Sequence, residues 1–328
     1  MYMQNKSPLV TILVPVCRTE QYLEQCLKSI KSQTYQNFEC LVINDGSTGV
    51  TEDLLNMYQH QDWVSEFDLT KIKGEEQCKF LFESIVGQDA RFQYFKKENE
   101  GLSLARNFGI DHSKGDWLII VDSDDALTED HVEKLMQPVL DNPDKPVVPY
   151  FICDHCYNSD FKIITSYKPN KINAANSFVY PVLIAWNYAA DLNFIRNHNL
   201  YFEPRLGPGP ARDDKVTKHG YEDTFFASVY LEALEAAYGK KSILYVNTGQ
   251  DTYLYRDVNL AGKGNLNVGI WADNYRKFTT DHLAKSKLTS LRGLAPIYNY
   301  WSTLWEAKNP VKKFIKNLLT LYIRFSTR

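Results

Sequence analysis

The sequence has no run approaching the roughly 18 consecutive apolar residues of a membrane-spanning helix, so no transmembrane segment is predicted. Residues Met1–Ser7 are polar and lack the basic-then-apolar pattern of a secretory signal. Basic charge is not in excess: 37 Lys and Arg stand against 40 Asp and Glu, net −3, which removes the usual reason to expect nucleic acid. Cysteine is scarce and scattered, at Cys17, Cys26, Cys40, Cys78, Cys153 and Cys156, which argues against a disulfide framework and for reduced, cytosolic thiols. Cys153-Asp-His-Cys156 lacks the second pair a zinc site would need, and a redox pair would normally open a helix, so structural cysteines are expected. What is present is a globular composition, 44% apolar and 13% aromatic, in a chain of 328 residues. That length suits two ordinary domains or one large α/β domain with an appendage.

The first half alternates strand and helix signals. Leu9–Val16 is a β-branched run that predicts a central parallel strand, with Pro15 expected to end it. Glu20–Thr34 carries Tyr22, Leu23, Cys26, Leu27 and Ile30 at helical spacing. Phe38–Ile43 predicts a second strand, followed by the turn-forming stretch Asn44–Thr48. This is β-α-β order, the mark of a parallel sheet. Residues 51–90 read less clearly, with helices around Leu54–Tyr58 and Cys78–Val86 and a polar excursion over 59–73. Phe92–Phe95 predicts a short edge strand, and the segment from Lys97 to Gly109 a loop entering a helix. There Arg106 and Asn107 are placed near a helix start, where backbone N–H groups favour anions.

Trp117–Asp125 organises the rest. Its apolar run predicts a buried strand that delivers Asp122, Asp124 and Asp125 within four residues. So much negative charge at the end of a buried strand is costly without a positive partner. Carboxyl ends of strands in open α/β sheets are also where ligands bind. A hard divalent cation carrying a phosphate-bearing substrate answers both points. Thr128 is expected to cap the following helix, which carries Val132, Leu135, Met136 and Val139. An EF-hand calcium loop fails, because position 126 is Ala and no Gly follows at 127. An aspartate-nucleophile phosphatase, with Asp122 phosphorylated, remains an alternative, as does a non-catalytic nucleotide- or glycan-binding protein.

Five motifs occur in order over the first ~130 residues: Pro15-Val16, Gln33-Thr34-Tyr35, Asn44-Asp45-Gly46-Ser47, Asn99-x-Gly101-Leu-Ser-x-Ala105-Arg106-Asn107-x-Gly109, and Asp122-Ser123-Asp124-Asp125. Together they resemble the family-2 inverting glycosyltransferases with the GT-A fold. The resemblance implies an α/β, Rossmann-like domain whose mostly parallel central sheet is flanked by helices, with a C-terminal helical extension. It implies a nucleotide-sugar donor, UDP by family frequency, and a divalent metal, Mn2+ or Mg2+. It places Pro15, Val16 and Arg18 along the nucleotide pocket, Asp45 at the base, Arg106 and Asn107 on the donor and Asp122 at the ribose. Asn99 and Ser123 belong to the same donor-binding set. Asp124 is the implied metal ligand, with Asp122 and Asp125 as further candidates. Two departures stand out: Asn44 where the family often has Asp, and Gly49 where a helix-capping Asp often follows Ser-Thr. The excursion over 59–90 is also longer than the family's usual connection.

In the second half, Val147–Cys153 and Phe161–Thr165 predict strands and Ala174–Trp186 a helix. Residues 207–220 are loop chemistry, and Glu222-Asp223 opens a helix through Tyr238. Alone, such an acidic pair reads as a helix-start charge feature. The resemblance instead makes Asp223 the general base, with Glu222 supporting it. It also carries Arg256, in Tyr253-Leu-Tyr255-Arg256, to the diphosphate, Lys263 being a less specific candidate. His155, His198 and His219 read as satisfied or solvated rather than metal-bound. The expected division is a nucleotide-sugar-binding half (1–145), an acceptor-binding half (146–262) and a helical extension (263–328). Within the last, Val311, Phe314, Ile315, Leu318, Leu319, Tyr322 and Phe325 share a face opposite Lys312, Lys313, Lys316 and Arg324. This amphipathic pattern over 310–328 favours peripheral membrane contact at the cytoplasmic face over docking on the body, and suits a glycan or lipid-linked acceptor.

Overall fold

The computed structural model describes residues 7–17, 19–47, 75–151, 156–157, 163–165, 172–179, 183–185, 187–207, 221–249, 253–254, 268–303 and 319. The first half runs β1 (Val10–Val16), α1 (Glu20–Lys31), β2 (Phe38–Asp45), α2 (Glu75–Val86), β3 (Phe92–Lys97), α3 (Leu102–His112) and β4 (Trp117–Ile120). Then come β5 (Ala126–Leu127), α4 (His131–Asp141), β6 (Val147–Tyr150), β7 (Cys156–Tyr157), β8 (Ile163–Thr165) and α5 (Ala174–Val179). The remainder is β9 (Ala190–Asp191), α6 (Leu192–Asn197), α7 (Glu222–Tyr238), β10 (Leu244–Asn247), β11 (Tyr253–Leu254), α8 (Val268–Lys285) and α9 (Thr289–Thr303).

Five strands form the main sheet in the order β3-β2-β1-β4-β9, parallel except for the antiparallel edge strand β9. The apolar runs suit it because successive side chains point to opposite faces and both faces are covered. Leu13, Leu41, Ile43, Leu118 and Ile120 pack with Ala105 and Ile110 of α3 and with Phe226, Tyr230 and Leu231 of α7. On the other face Ile12, Val14, Val42, Ile119 and Val121 meet Leu23, Leu27 and Ile30 of α1 and Val132, Leu135 and Met136 of α4. Helix α3 lies so close to β1 that a Cβ added at Gly109 would sit 2.2 Å from Leu13 Cδ1.

Four expectations change. Strand β1 continues through Pro15, which pairs with Ile43 of β2. Its missing N–H costs no ladder bond, because pairing with β4 ends at Leu13↔Ile120. Strand β2 runs on to Asp45, its pairing with β3 continuing to Asp45↔Lys97. Thr128 does not cap α4: its hydroxyl donates to Asp130, the N-cap residue, and the Val132 amide is met by Gln33 Oε1 at 3.0 Å. Gln33 also donates to the Thr128 carbonyl, so the Gln-Thr-Tyr motif anchors the helix entered from β5. Helix α5 is described over Ala174–Val179, and residues 183–185 are not helical, so the helix predicted through Trp186 is shorter than expected.

The helical extension is present. Helices α8 and α9 follow the sheet, and α8 docks on α7 where Glu232 accepts hydrogen bonds from His282 and Ser286. Among the described helices none is long and apolar enough to cross a membrane. Of residues 310–328 only Leu319 is described, partly buried and packed against the core.

Candidate active site

The strand order reverses at β1, whose neighbours are β2 on one side and β4 on the other. Ligands of open α/β sheets lie at such a switch point, outside the carboxyl ends of the strands. The two strands separate just after the Val121 amide bonds the Leu13 carbonyl at 2.9 Å. Asp122, Ser123, Asp124 and Asp125 follow in a tight turn, the Asp125 amide donating to the Asp122 carbonyl at 3.0 Å. Ser123 shares a hydrogen bond with Thr19, the residue before α1, which seats the turn against that helix. Asp124 and Asp125 are buried and Asp122 is half-buried. β5, just beyond the turn, pairs antiparallel with β11, so Tyr253 and Leu254 are brought beside the aspartates.

On the other flank, Asp45 ends β2 with its carboxylate buried. It accepts from Lys97 Nζ at 2.7 Å and from the Glu100 and Gly101 amides at 3.1 and 2.9 Å. Gly46 follows in the left-handed region at φ 65°, and a Cβ there would sit 2.6 Å from the Asn99 amide, so glycine permits the two loops to touch. Asn99 in turn donates to Cys17 Sγ at 3.2 Å, at the end of β1.

Arg106 joins the two halves. It lies within α3, not at its start, and is 2% exposed. One guanidinium nitrogen donates to Glu222 Oε1 at 2.8 Å and another to Asp122 Oδ1 at 3.1 Å. The group also lies over the Phe202 ring, 5.2 Å from its centroid. A buried cation between two carboxylates is the partner that the charge at the end of β4 demanded. Asp223, beside Glu222 at the start of α7, is half-buried and accepts from the Thr224 amide at 2.6 Å. Tyr221, just before it, holds a left-handed φ of 70°, a strained conformation for a bulky residue and one found where geometry is functional.

Burial, and then the neighbouring Asp223 charge, raise the Glu222 pKa from 4.5 to about 7 although Arg106 opposes the shift. A raised folded-state pKa gives stability that is full below about pH 4.5 and lost as pH rises through about 7. Glu222→Gln is expected to remove this fall, whose slope is at most about 1.4 kcal/mol per pH unit. Urea unfolding at about pH 5 and about pH 8 checks it. Equal pH dependence in both proteins would contradict the assignment.

Of the residues singled out in the sequence, the structure gathers Pro15, Val16, Asp45, Asn99, Arg106, Asp122–Asp125, Glu222 and Asp223 along one edge of the sheet. Asn107 faces elsewhere: its amide donates to the Phe202 carbonyl at 2.9 Å and accepts from the Phe202 amide at 2.8 Å. It thereby fixes the segment under Arg106. Arg18, Arg256, Lys263, His155 and His219 lie outside the described residues, as does the excursion over 59–73. His198 stacks on Phe194 and donates to its carbonyl, as a satisfied histidine should. Cys17, Cys26, Cys40 and Cys78 form no disulfide. Sequence reasoning missed Lys97, for which no local pattern exists. Among the described residues no group of three or more His, Cys, Asp or Glu converges as a metal cage. The carboxylate oxygens at 122–125 nevertheless fit a hard cation, which takes one or two carboxylates and completes its shell with phosphate and water.

This arrangement is the GT-A fold. The structure of S. aureus TarS 1-349 in complex with UDP-GlcNAc aligns over 90% of this chain and 71% of that one, with a TM-score of 0.55 at 13% identity. A second TarS structure aligns over 91% and 44%, with a TM-score of 0.54 at 12% identity, a likeness of fold. Residues 11–183, more than half of the chain, match the profile of Glycosyl transferase family 2, and the chain belongs to that family. It is 36% identical over 132 residues to the glycosyltransferase GlyA of Streptococcus pneumoniae, covering 40% of this chain and 15% of GlyA. It is 28% identical over 256 residues to EpsH of Bacillus subtilis, covering 76% of this chain and 61% of EpsH. The chain thus spans less than two thirds of the length of either relative.

Proposed function

We propose that this chain is an inverting glycosyltransferase. It moves a hexose or N-acetylhexosamine from a nucleotide-sugar donor, with UDP the leading nucleotide, to a hydroxyl of a growing glycan or lipid-linked acceptor. The observation that carries the reading is Arg106, whose two ion pairs hold the Asp122 turn and the Glu222-Asp223 pair at one site. Family membership supports it, and the UDP-GlcNAc held by TarS supports the choice of nucleotide.

The donor lies along the carboxyl ends of β1, β2 and β4, its nucleotide against Pro15–Arg18, Asp45 and Asn99, its ribose near Asp122 and Ser123. Asp223 takes the acceptor proton as the oxygen attacks the anomeric carbon and the bond to the diphosphate breaks. One displacement with one base and no covalent intermediate inverts that carbon, as in inverting glycosidases. Asp124, with Asp122 or Asp125, would hold a Mn2+ or Mg2+ ion, which supplies charge to the departing diphosphate. Arg256 is assigned to the same diphosphate. Glu222 and Arg106 orient the base.

A panel of nucleotide sugars with and without Mn2+ tests this: metal-dependent release of a nucleoside diphosphate is expected from one of them. Phosphatase activity without any nucleotide sugar would favour the aspartate-nucleophile alternative. We also assign peripheral contact with the inner face of the cell membrane to residues 310–328. The sequence pattern supports it, with Lys312, Lys313, Lys316 and Arg324 opposite the apolar face and suited to anionic headgroups, whereas Leu319 of that apolar face packs against the body, the contact the docked alternative expects. Deleting Pro310–Arg328 is expected to abolish co-sedimentation with anionic liposomes, and unchanged sedimentation would defeat the assignment.

A further inference from the structure

Lys97 has a place in the site that its sequence context does not announce. It ends β3 directly beside Asp45, in register across the parallel ladder. Its side chain is 9% exposed and that of Asp45 4%. An ammonium carries three N–H donors. Those of Lys97 meet Asp45 Oδ1 at 2.7 Å, the Glu98 carbonyl at 2.9 Å and Glu100 Oε2 at 2.7 Å. All three donors are spent within the protein, so Lys97 has none left for a ligand.

What these bonds hold is the loop 98–101. Asp45 takes the Glu100 and Gly101 amides, while Lys97 takes the Glu98 carbonyl and the Glu100 carboxylate. The loop is therefore gripped from both sides by one buried ion pair. From it Asn99 reaches Cys17 beyond the end of β1, and Gly101, at φ 97°, starts the helix that carries Arg106. Burial works against the Lys97 charge, yet the bonds to Asp45 and Glu100 outweigh it and its pKa is raised. Lys97 therefore stays charged at neutral pH.

We infer that Lys97 is a positioning residue for the donor: by clasping the 98–101 loop across the end of β1 it sets nucleotide affinity, while the chemical step at Asp223 proceeds without it. The inference rests on the nucleotide-sugar reading above. Titration of UDP into the full chain, with steady-state kinetics on the accepted donor, tests it. In Lys97→Met the UDP Kd and donor KM are expected to rise about tenfold together, with kcat changed less than about twofold. Lys97→Arg, which keeps the charge, should stay within about threefold of wild type. A purely structural lysine would lower the Tm of Lys97→Met yet leave the Kd and KM of the folded protein unchanged, and that result overturns the inference. So does a fall in kcat at constant KM. If Lys97→Met does not fold because Asp45 is left unpaired, Asp45→Asn with Lys97→Met buries no lone charge and carries the test against Asp45→Asn alone. Binding by wild type with no change in the variants defeats this inference only. A wild type that binds no nucleotide defeats it together with the function proposed above.

Discussion

Asp223→Asn is expected to lower kcat by about 10²–10⁴-fold while UDP affinity stays within about twofold of wild type. Asparagine is nearly isosteric with aspartate, and its side-chain oxygen can still accept the Thr224 amide, so the start of α7 should keep its shape. What it cannot do is accept the acceptor proton. The loss therefore falls on the step in which that proton moves and not on donor binding, which is placed at the ends of β1, β2 and β4. Steady-state kinetics with UDP titration separates the two. Full activity in the variant would remove Asp223 from the role of base. Lost activity together with lost UDP affinity would point to a collapsed site.

Arg106→Ala is expected to destabilise the protein by about 3–5 kcal/mol, because it leaves a buried Glu222 and its neighbour Asp122 facing each other with no cation between them. In a chain of this size that corresponds to a fall in Tm of about 10 °C. Lys in place of Arg keeps the charge but not the forked geometry that reaches both carboxylates at once, so Arg106→Lys should fall between. Adding Glu222→Gln to Arg106→Ala removes the buried carboxyl left without its cation and should recover part of the stability, a coupling that a double-mutant cycle measures. An Arg106→Ala protein as stable as wild type would show that the bridge contributes nothing to the fold.

The two variants probe different kinds of residue, and the sequence exposes them unequally. Asp45, Asp122, Asp124 and Asp125 were legible because each follows an apolar run whose end must lie at the edge of a buried sheet. The acidic pair Glu222-Asp223 was not: any helix start favours such residues, and only the family pattern singled it out. Arg106 was legible as a motif residue and misplaced near a helix start, whereas it sits inside α3. Asn107 stood beside it in the same motif, yet its amide is closed onto the backbone of Phe202, 95 residues away. Lys97 gave no local sign, since its meaning comes from the register of β3 beside β2.

The sequence by itself determined the parallel α/β sheet, through β-branched strands alternating with amphipathic helices, and it determined which carboxylates end those strands. Such patterns are properties of contiguous residues. The tertiary structure alone decided which charges meet: Arg106 with Glu222 across 116 residues, and Asp45 with Lys97 across 52. A buried charge is stabilised by whatever stands within a few ångströms of it, and helices and strands distant along the chain bring those neighbours together only when they pack.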